Sequence, residues 1–241
     1  MVESKEHKDQ LPTAGKAAEV DAFVKEVRAL GAVRPASGRG RLVFALDATA
    51  SRQATWDRAC RLQGEMFEAT TAIGGLDVQL VFYRGFNECK ASRWLNAAAD
   101  LHRAMRSVSC VGGMTQIGRV LTHARDEARA NKVNALVFVG DAMEENVDKL
   151  CRLAGELGLL GVPVFVFHEG GDHIAGLAFR QIAKLSGGAY CAFDAGSAKQ
   201  LRELLGAVAA YAAGGRPALV DYGKRTGGAA LLLAKNVGDR K

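Results

Sequence analysis

Short apolar runs alternate with stretches of helical periodicity along most of the chain. The run at 41–47, RLVFALD, is typical of a strand buried on both faces of a parallel sheet, and similar runs follow at 77–83, 134–141, 161–167 and 189–194. Residues 88–94 predict a short edge strand. Apolar positions at helical spacing predict helices at 52–72, 95–106, 116–131, 144–158, 174–186 and 197–213. This alternation predicts an α/β fold, a doubly wound, mostly parallel six-stranded sheet with helices on both faces.

The pattern changes near both ends of the chain. Residues 1–40 predict an N-terminal extension, with an amphipathic helix at 16–30 and a linker rich in glycine and proline, GAVRPASGRG. Residues 41–213 form the predicted domain. From residue 214 onward we expect a basic C-terminal tail, exposed to solvent, with one short helix at 227–235.

Composition narrows the class of protein. Of 241 residues, 49% are hydrophobic and 24% are charged, which is ordinary for a globular protein. No apolar run approaches the ~18–20 residues needed to span a bilayer, and the charged N-terminus does not resemble a secretion signal. The five cysteines are scattered and form no C-x-x-C pair. We therefore expect a cytoplasmic protein without a membrane partner.

The net charge of +6 lies mostly at the end of the chain. Residues 214–241 carry six Lys or Arg against two Asp or Glu, with Tyr222 as their one aromatic residue. Nucleic-acid binding favours a basic stripe with interleaved aromatic residues on the folded body. Nucleic acid is therefore not an expected partner.

Oxygen-bearing side chains cluster at predicted strand ends. Asp47, Thr49 and Ser51 alternate in DATAS directly after the first strand, Thr115 lies in the glycine-rich loop GGMTQIG, and Asp141 ends a second buried strand. Ligands of doubly wound folds bind at the carboxyl ends of the strands. Carboxylate and hydroxyl oxygens suit a hard cation such as Mg²⁺. These five residues are therefore candidate metal ligands.

This arrangement resembles the metal-ion-dependent adhesion site (MIDAS) of the von Willebrand factor type A (VWA) domain family, over roughly residues 40–213. That site combines Asp-x-Ser-x-Ser after the first strand, a Thr in a glycine-rich loop and an Asp after the fourth strand. Asp47, Thr49 and Ser51 match the first element, with Thr in place of the first Ser. Thr115 in VGGMTQIGRVLTHA matches the second element. Asp141 in ALVFVGDAMEE matches the third, although the family often has Thr-Asp-Gly at this point.

The resemblance implies a binding role without catalysis. Hydroxyls of Thr49, Ser51 and Thr115 would ligate Mg²⁺ (or Mn²⁺), while Asp47 and Asp141 would hold metal-bound waters and orient the hydroxyls. The ion would then accept an Asp or Glu carboxylate from a protein partner, as in assemblies with AAA-type ATPases or chelatase-like complexes. Residues expected at the exposed rim of this site are Arg52, Asp57, Glu144, Glu145, His168 and Glu169.

Two alternatives stay open at the level of sequence. Asp47, Thr115 and Asp141 could instead cap the helices that follow them, which would leave a metal-independent interaction domain. A Mg²⁺-dependent phosphatase of the haloacid-dehalogenase type also has a nucleophilic Asp after its first strand and a Gly-Asp at a later strand end. In that scheme Thr49 stands where a second acid is needed, so the general acid–base partner is missing.

Overall fold

A computed structural model describes residues 39–69, 75–193 and 198–237 of the chain. The predicted helix at 16–30 and most of the predicted linker lie outside the described residues. Within the described part, no helix is both long enough and apolar enough to cross a membrane.

Six strands form one sheet at the centre of the described body. They are β1 (Gly40–Asp47), β2 (Leu76–Arg84), β3 (Glu88–Ala91), β4 (Ala135–Gly140), β5 (Val164–Glu169) and β6 (Ala189–Phe193). Their order is β3-β2-β1-β4-β5-β6. All neighbouring strands are parallel except β2 and β3, which are antiparallel. The predicted mostly parallel six-stranded sheet is confirmed.

Helices cover both faces of this sheet. A 3-10 turn at Ala50–Arg52 leads into α1 (Gln53–Glu68), followed by α2 (Ala98–Arg106), α3 (Ile117–Ala130), α4 (Val147–Leu159), α5 (His173–Ser186), α6 (Ala198–Thr226) and α7 (Gly228–Asn236). Buried residues of α1, α2, α6 and α7 pack in one core cluster, and those of α3, α4 and α5 in the other. The fold is therefore a three-layer sandwich with two cores.

Strand β1 contributes side chains to both cores. Leu42, Phe44 and Leu46 belong to one cluster, while Val43 and Ala45 belong to the other. Because successive side chains of a strand point to opposite faces, a continuous apolar run is what a central parallel strand needs. This explains why RLVFALD predicts the strand correctly.

The strand order reverses between β1 and β4. The chain proceeds from β1 to β2 on one side of the sheet and from β4 to β5 on the other. The loops that follow β1 and β4 therefore diverge, which opens a crevice at the carboxyl ends of these two strands.

Residues 214–237 do not form the solvent-exposed tail that the sequence predicted. The helix α6 continues to Thr226, with a kink at Gly215, where φ is +68°, and with Pro217 just beyond it. Leu219, Leu233 and Val237 are buried in the core cluster that covers one face of the sheet. The glycines and the proline interrupt the helical pattern because they form a kink, but the packed body continues beyond them.

Two contacts hold these last helices in place. Glu203 of α6 is buried, and its carboxylate accepts a hydrogen bond from the Ala229 N–H at 2.7 Å, at the start of α7. At the first residue of β1, a Cβ atom on Gly40 would lie 2.3 Å from the carbonyl oxygen of Ala212 in α6. Glycine at position 40 therefore permits close packing of the last helices against the first strand.

Candidate metal centre

Asp47 and Asp141 flank the crevice between β1 and β4. Asp47 is the last residue of β1 and is 3% exposed, whereas Asp141 directly follows β4 and is partly exposed. The two strands are paired in parallel register, with Leu46 opposite Val139. The two predicted carboxylates therefore lie at the same edge of the sheet.

The surroundings of Asp47 favour a bound cation. Burial raises the pKa of the Asp47 carboxyl above its ordinary value of 3.8, the hydrogen bond from Thr49 N–H (2.7 Å) opposes this rise, and the charge of Asp141 adds to it. The hydroxyl of Tyr83 on β2 is buried beside Asp47, and burial together with the charge of Asp47 raises the pKa of Tyr83 well above its ordinary value. A positive charge at this edge would offset the cost of burying the carboxylate.

Two hydroxyls connect the carboxylates. The Oγ1 atom of Thr49 lies 3.4 Å from the Oγ atom of Ser51, and the Ser51 hydroxyl donates to Oδ2 of Asp141 at 3.2 Å. The structure thus brings Asp47, Thr49, Ser51 and Asp141 together around the crevice.

Thr115 lies in the neighbouring loop and is held by Glu144. Its N–H donates to the Glu144 carboxylate at 3.0 Å, and the Glu144 N–H donates to Thr115 Oγ1 at 3.0 Å. These hydrogen bonds tie Thr115 to the loop that begins with Asp141, and they do not link it directly to the other four predicted ligands.

The backbone of the glycine-rich loop packs closely on its neighbours. The Val111 N–H donates to the Ala48 carbonyl at 3.0 Å, and the Met114 N–H donates to the Gly85 carbonyl at 3.1 Å. A Cβ atom on Gly113 would lie 2.0 Å from the Gly85 oxygen, so this close approach requires glycine. The loop that carries Thr115 is therefore fixed against the ends of β1 and β2.

Other residues cap the helices that follow the candidate ligands. The carboxylate of Glu145 accepts hydrogen bonds from the N–H groups of Ile117 and Gly118 at the start of α3, and burial raises its pKa above 4.5. Asn146 accepts from the Lys149 N–H at the start of α4. The helix-capping alternative therefore does not explain Thr115 or Asp141. Nor does Asp47 cap α1, because it accepts from the Thr49 N–H instead.

Arg52 and Glu169 form a buried ion pair next to the site. Arg52 was expected at the exposed rim but is 2% exposed. One of its terminal nitrogens pairs with Glu169, and the other lies 3.9 Å from Oδ2 of Asp141. The Thr55 hydroxyl donates to the same Glu169 carboxylate. The sequence does not reveal this pair, because its two members lie on elements far apart in the chain.

His168 on β5 supports the backbone of Asp141. Its Nε2 lies 3.3 Å from the Asp141 carbonyl oxygen, and its Nδ1 lies 2.8 Å from the Tyr190 hydroxyl. Since a carbonyl can only accept, Nε2 carries the proton and Nδ1 accepts from Tyr190. Burial lowers the pKa of His168 below 6.5, which favours this neutral form. One ring nitrogen therefore holds the loop after β4, and the other contacts β6.

The donor set fits a hard cation held mainly through hydroxyls and water. In residues 39–69, 75–193 and 198–237 there is no group of three or more His, Cys, Asp or Glu side chains placed to hold a metal on their own. Oxygens of carboxylates, hydroxyls and waters are what Mg²⁺ and Mn²⁺ prefer. That Thr49, Ser51 and Thr115 hold such an ion together with Asp47 and Asp141 stays a prediction.

Comparison with known proteins yields structural relatives alone. No family model matches the sequence, and no curated protein matches it significantly. The VWA domain of SpRpn10 is similar in structure, with a TM-score of 0.55 and 15% sequence identity over 69% of this chain and 94% of that domain.

A second similar structure is proximal thread matrix protein 1 from the mussel byssus, with a TM-score of 0.56 and 17% identity. The match covers 73% of this chain and 46% of that one, so this chain spans about half of its length. The same protein with a zinc-occupied MIDAS motif has a TM-score of 0.55 and 17% identity, over 73% of this chain and 48% of that one. At these identities the likeness concerns the fold, and this chain adopts the Rossmann-like α/β fold of VWA domains.

Proposed function

We propose that this chain is a protein-interaction module in which a divalent cation, Mg²⁺ or Mn²⁺, bridges to an acidic residue of a protein partner. The observation that carries the proposal is that polar side chains from the end of β1 meet Asp141 at the end of β4. The Oδ2 atom of Asp141 accepts a hydrogen bond from the Ser51 hydroxyl at 3.2 Å. Thr49 lies beside Ser51, and the buried Asp47 holds the turn between them and β1. These four residues supply two of the three elements of a MIDAS-type site, and Thr115 in the neighbouring loop is the candidate for the third.

Each residue has a distinct proposed role. The hydroxyls of Thr49, Ser51 and Thr115 contact the ion directly, while Asp47 and Asp141 accept hydrogen bonds from metal-bound water and from the hydroxyls. Because hydroxyls are neutral ligands, the ion keeps much of its positive charge and attracts a carboxylate from outside. The zinc-occupied MIDAS of a protein with the same fold supports a divalent site at this place.

The surface around the site supports a protein as the partner. Phe86, Val111 and Met114 are 71%, 46% and 49% exposed in loops at this edge of the sheet. Val111 and Met114 belong to the loop of Thr115, and Phe86 follows Gly85, to which that loop is hydrogen-bonded. Large exposed apolar side chains around a polar site are typical of surfaces that a protein covers.

The proposed module acts without catalysis, in the cytoplasm, in an assembly such as one built around an AAA-type ATPase or a chelatase-like complex. The VWA domain of SpRpn10, which has the same fold, supports a VWA interaction module as the general class.

The first test is calorimetric titration of Mg²⁺ and Mn²⁺ into the metal-stripped full chain. We expect weak binding, tighter for Mn²⁺ than for Mg²⁺. Asp47→Asn and Thr115→Val should abolish it, because each removes an oxygen of the site. Asp221→Asn is the matched control, since Asp221 is an exposed carboxylate of α6 that pairs with Arg225.

Two results would overturn the proposal. One is the absence of binding by the folded parent protein. The other is binding that survives in Asp47→Asn and Thr115→Val at the parent's affinity.

A further inference from the structure

Arg52 is a buried cation with few partners. A guanidinium carries five N–H donors, and leaving them unpaired in the interior is unfavourable. In Arg52 one terminal nitrogen pairs with Glu169, the other lies 3.9 Å from Asp141 Oδ2, and Nε has no hydrogen-bond partner in the described structure. Arg52 therefore has unused capacity to bind a carboxylate, and the next carboxylate is Asp141.

We propose that Arg52 competes with the metal ion for Asp141, that Glu169 holds Arg52 back, and that this buried ion pair thereby sets the affinity of the site for its cation. This inference rests on the metal site of the proposed function. In this role Arg52 and Glu169 tune the affinity of the site, but they neither ligate the metal nor contact the partner.

The shared atom is Oδ2 of Asp141. It accepts from the Ser51 hydroxyl at 3.2 Å and faces the Arg52 guanidinium at 3.9 Å. A cation bound next to Ser51 and Asp141 lies close to a fixed positive charge in a partly buried place, where water screens the repulsion less than at the surface. The guanidinium therefore weakens the attraction of the site for a divalent ion.

Glu169 limits this effect. Its carboxylate pairs with Arg52 and also accepts from the Thr55 hydroxyl, so it is fixed between α1 and the 3-10 turn that precedes it. With Glu169 ionised, the formal charges of Asp47, Asp141, Glu169 and Arg52 sum to −2, which matches a divalent ion. Without the charge of Glu169 the sum is −1, and Asp141 becomes the nearest carboxylate for the guanidinium. Without the charge of Arg52 the sum is −3.

Changes at the two residues should therefore have opposite effects. We expect Arg52→Met to bind Mn²⁺ about tenfold more tightly than the parent and Glu169→Gln about tenfold more weakly. The double variant should return close to the parent, because its charge is again −2. Arg52→Lys should also stay near the parent, since it keeps the charge. Arg61→Met, at an exposed arginine of α1, is the matched control and should leave the affinity unchanged.

The experiment is calorimetric titration of Mn²⁺ into each full-length variant, with thermal unfolding recorded in the absence of metal. If the ion pair has only a structural role, both single variants should bind the metal more weakly than the parent. Competition instead requires that Arg52→Met binds more tightly and Glu169→Gln more weakly. Equal or weaker binding by folded Arg52→Met overturns the inference. If Arg52→Met does not fold, Arg52→Gln takes its place, since it also removes the charge but keeps N–H donors for Glu169, and binding equal to or weaker than that of the parent overturns the inference.

Failure of this inference is distinguishable from failure of the proposed function. If the parent does not bind Mn²⁺, the metal site itself is refuted. If the parent binds Mn²⁺ and Asp47→Asn abolishes binding, while Arg52→Met and Glu169→Gln lack opposite effects, the site stands and the competition is refuted.

Discussion

Thr115 and Glu144 hold each other through two reciprocal hydrogen bonds of 3.0 Å. The N–H of each residue donates to the side chain of the other. The glycine-rich loop and the loop that follows β4 are thereby joined at one point. The position of the Thr115 hydroxyl relative to Asp141 depends on this junction.

Glu144→Ala should weaken Mn²⁺ binding about tenfold, because the Thr115 N–H loses its acceptor and the loop loses its anchor. A hydrogen bond to a charged group such as this carboxylate contributes about 1.5 kcal/mol. Glu144→Gln keeps an acceptor oxygen and should stay near the parent. Calorimetric titration measures both affinities. Equal affinities for Glu144→Ala and the parent would show that the junction does not position Thr115 for the metal.

Leu233 and Leu232 form a matched pair for testing the packing of the last helices. Leu233 of α7 is fully buried, whereas Leu232 is 60% exposed. Leu233→Ala should lower the free energy of unfolding by about 2–5 kcal/mol, since it removes buried apolar surface and leaves a cavity. Leu232→Ala should change it by less than about 1 kcal/mol.

Urea unfolding of both variants provides the measurement. Similar free energies of unfolding for the two variants would mean that α7 does not contribute to the core in solution.

Arg84 controls the ionisation of Glu88 in the hairpin between β2 and β3. The guanidinium donates to both carboxylate oxygens, at 2.8 and 3.1 Å, and Lys90 adds a second cation. These contacts lower the pKa of Glu88 from 4.5 to about 2. Because the folded pKa lies below the unfolded value, the contribution of this pair to stability is complete above about pH 4.5 and is lost as the pH falls towards 2.

An NMR titration of the Glu88 carboxyl tests this expectation. Arg84→Met should raise the pKa of Glu88 towards 4.5, while Arg93→Met, at another arginine near this edge, should leave it low. A parent pKa close to 4.5 would contradict the hairpin geometry.

The phosphatase alternative makes an opposite prediction about catalysis. We expect the parent with Mg²⁺ to hydrolyse p-nitrophenyl phosphate no faster than Asp47→Asn. Asp47 is almost fully buried, one of its oxygens accepts from the Thr49 N–H, and no carboxylate occupies position 49. If the parent hydrolyses p-nitrophenyl phosphate and Asp47→Asn does not, the result would favour the phosphatase and count against the binding module.

The sequence predicts the sheet well because its strands are buried on both faces. Continuous apolar runs such as RLVFALD leave few other possibilities, and parallel strands with helices between them allow few topologies. The positions of Asp47 and Asp141 at strand ends follow from the same pattern. That these residues bind a metal remains a prediction.

Other features depend on contacts between distant segments. Arg52 and Glu169 meet because β1 and β5 both lie next to β4, and no local pattern contains that information. Glu144 and Glu145 accept from backbone N–H groups, which carry no signature in the sequence. The end of the packed body was misplaced because Gly215 and Pro217 resemble the end of a domain, whereas they form a kink within α6.

The contact between Gly40 and Ala212 has a consequence for how the protein is made. Strand β1 is synthesised before the other five strands, but the helices that cover Leu42, Phe44 and Leu46 on one face include α6 and α7, which follow all six strands in the chain. A nascent chain that ends before residue 198 therefore leaves part of one apolar side of the sheet uncovered, because only α1 and α2 are then present on that side. Closure of this layer therefore comes late in synthesis, and the apolar surface that stays uncovered until then favours aggregation.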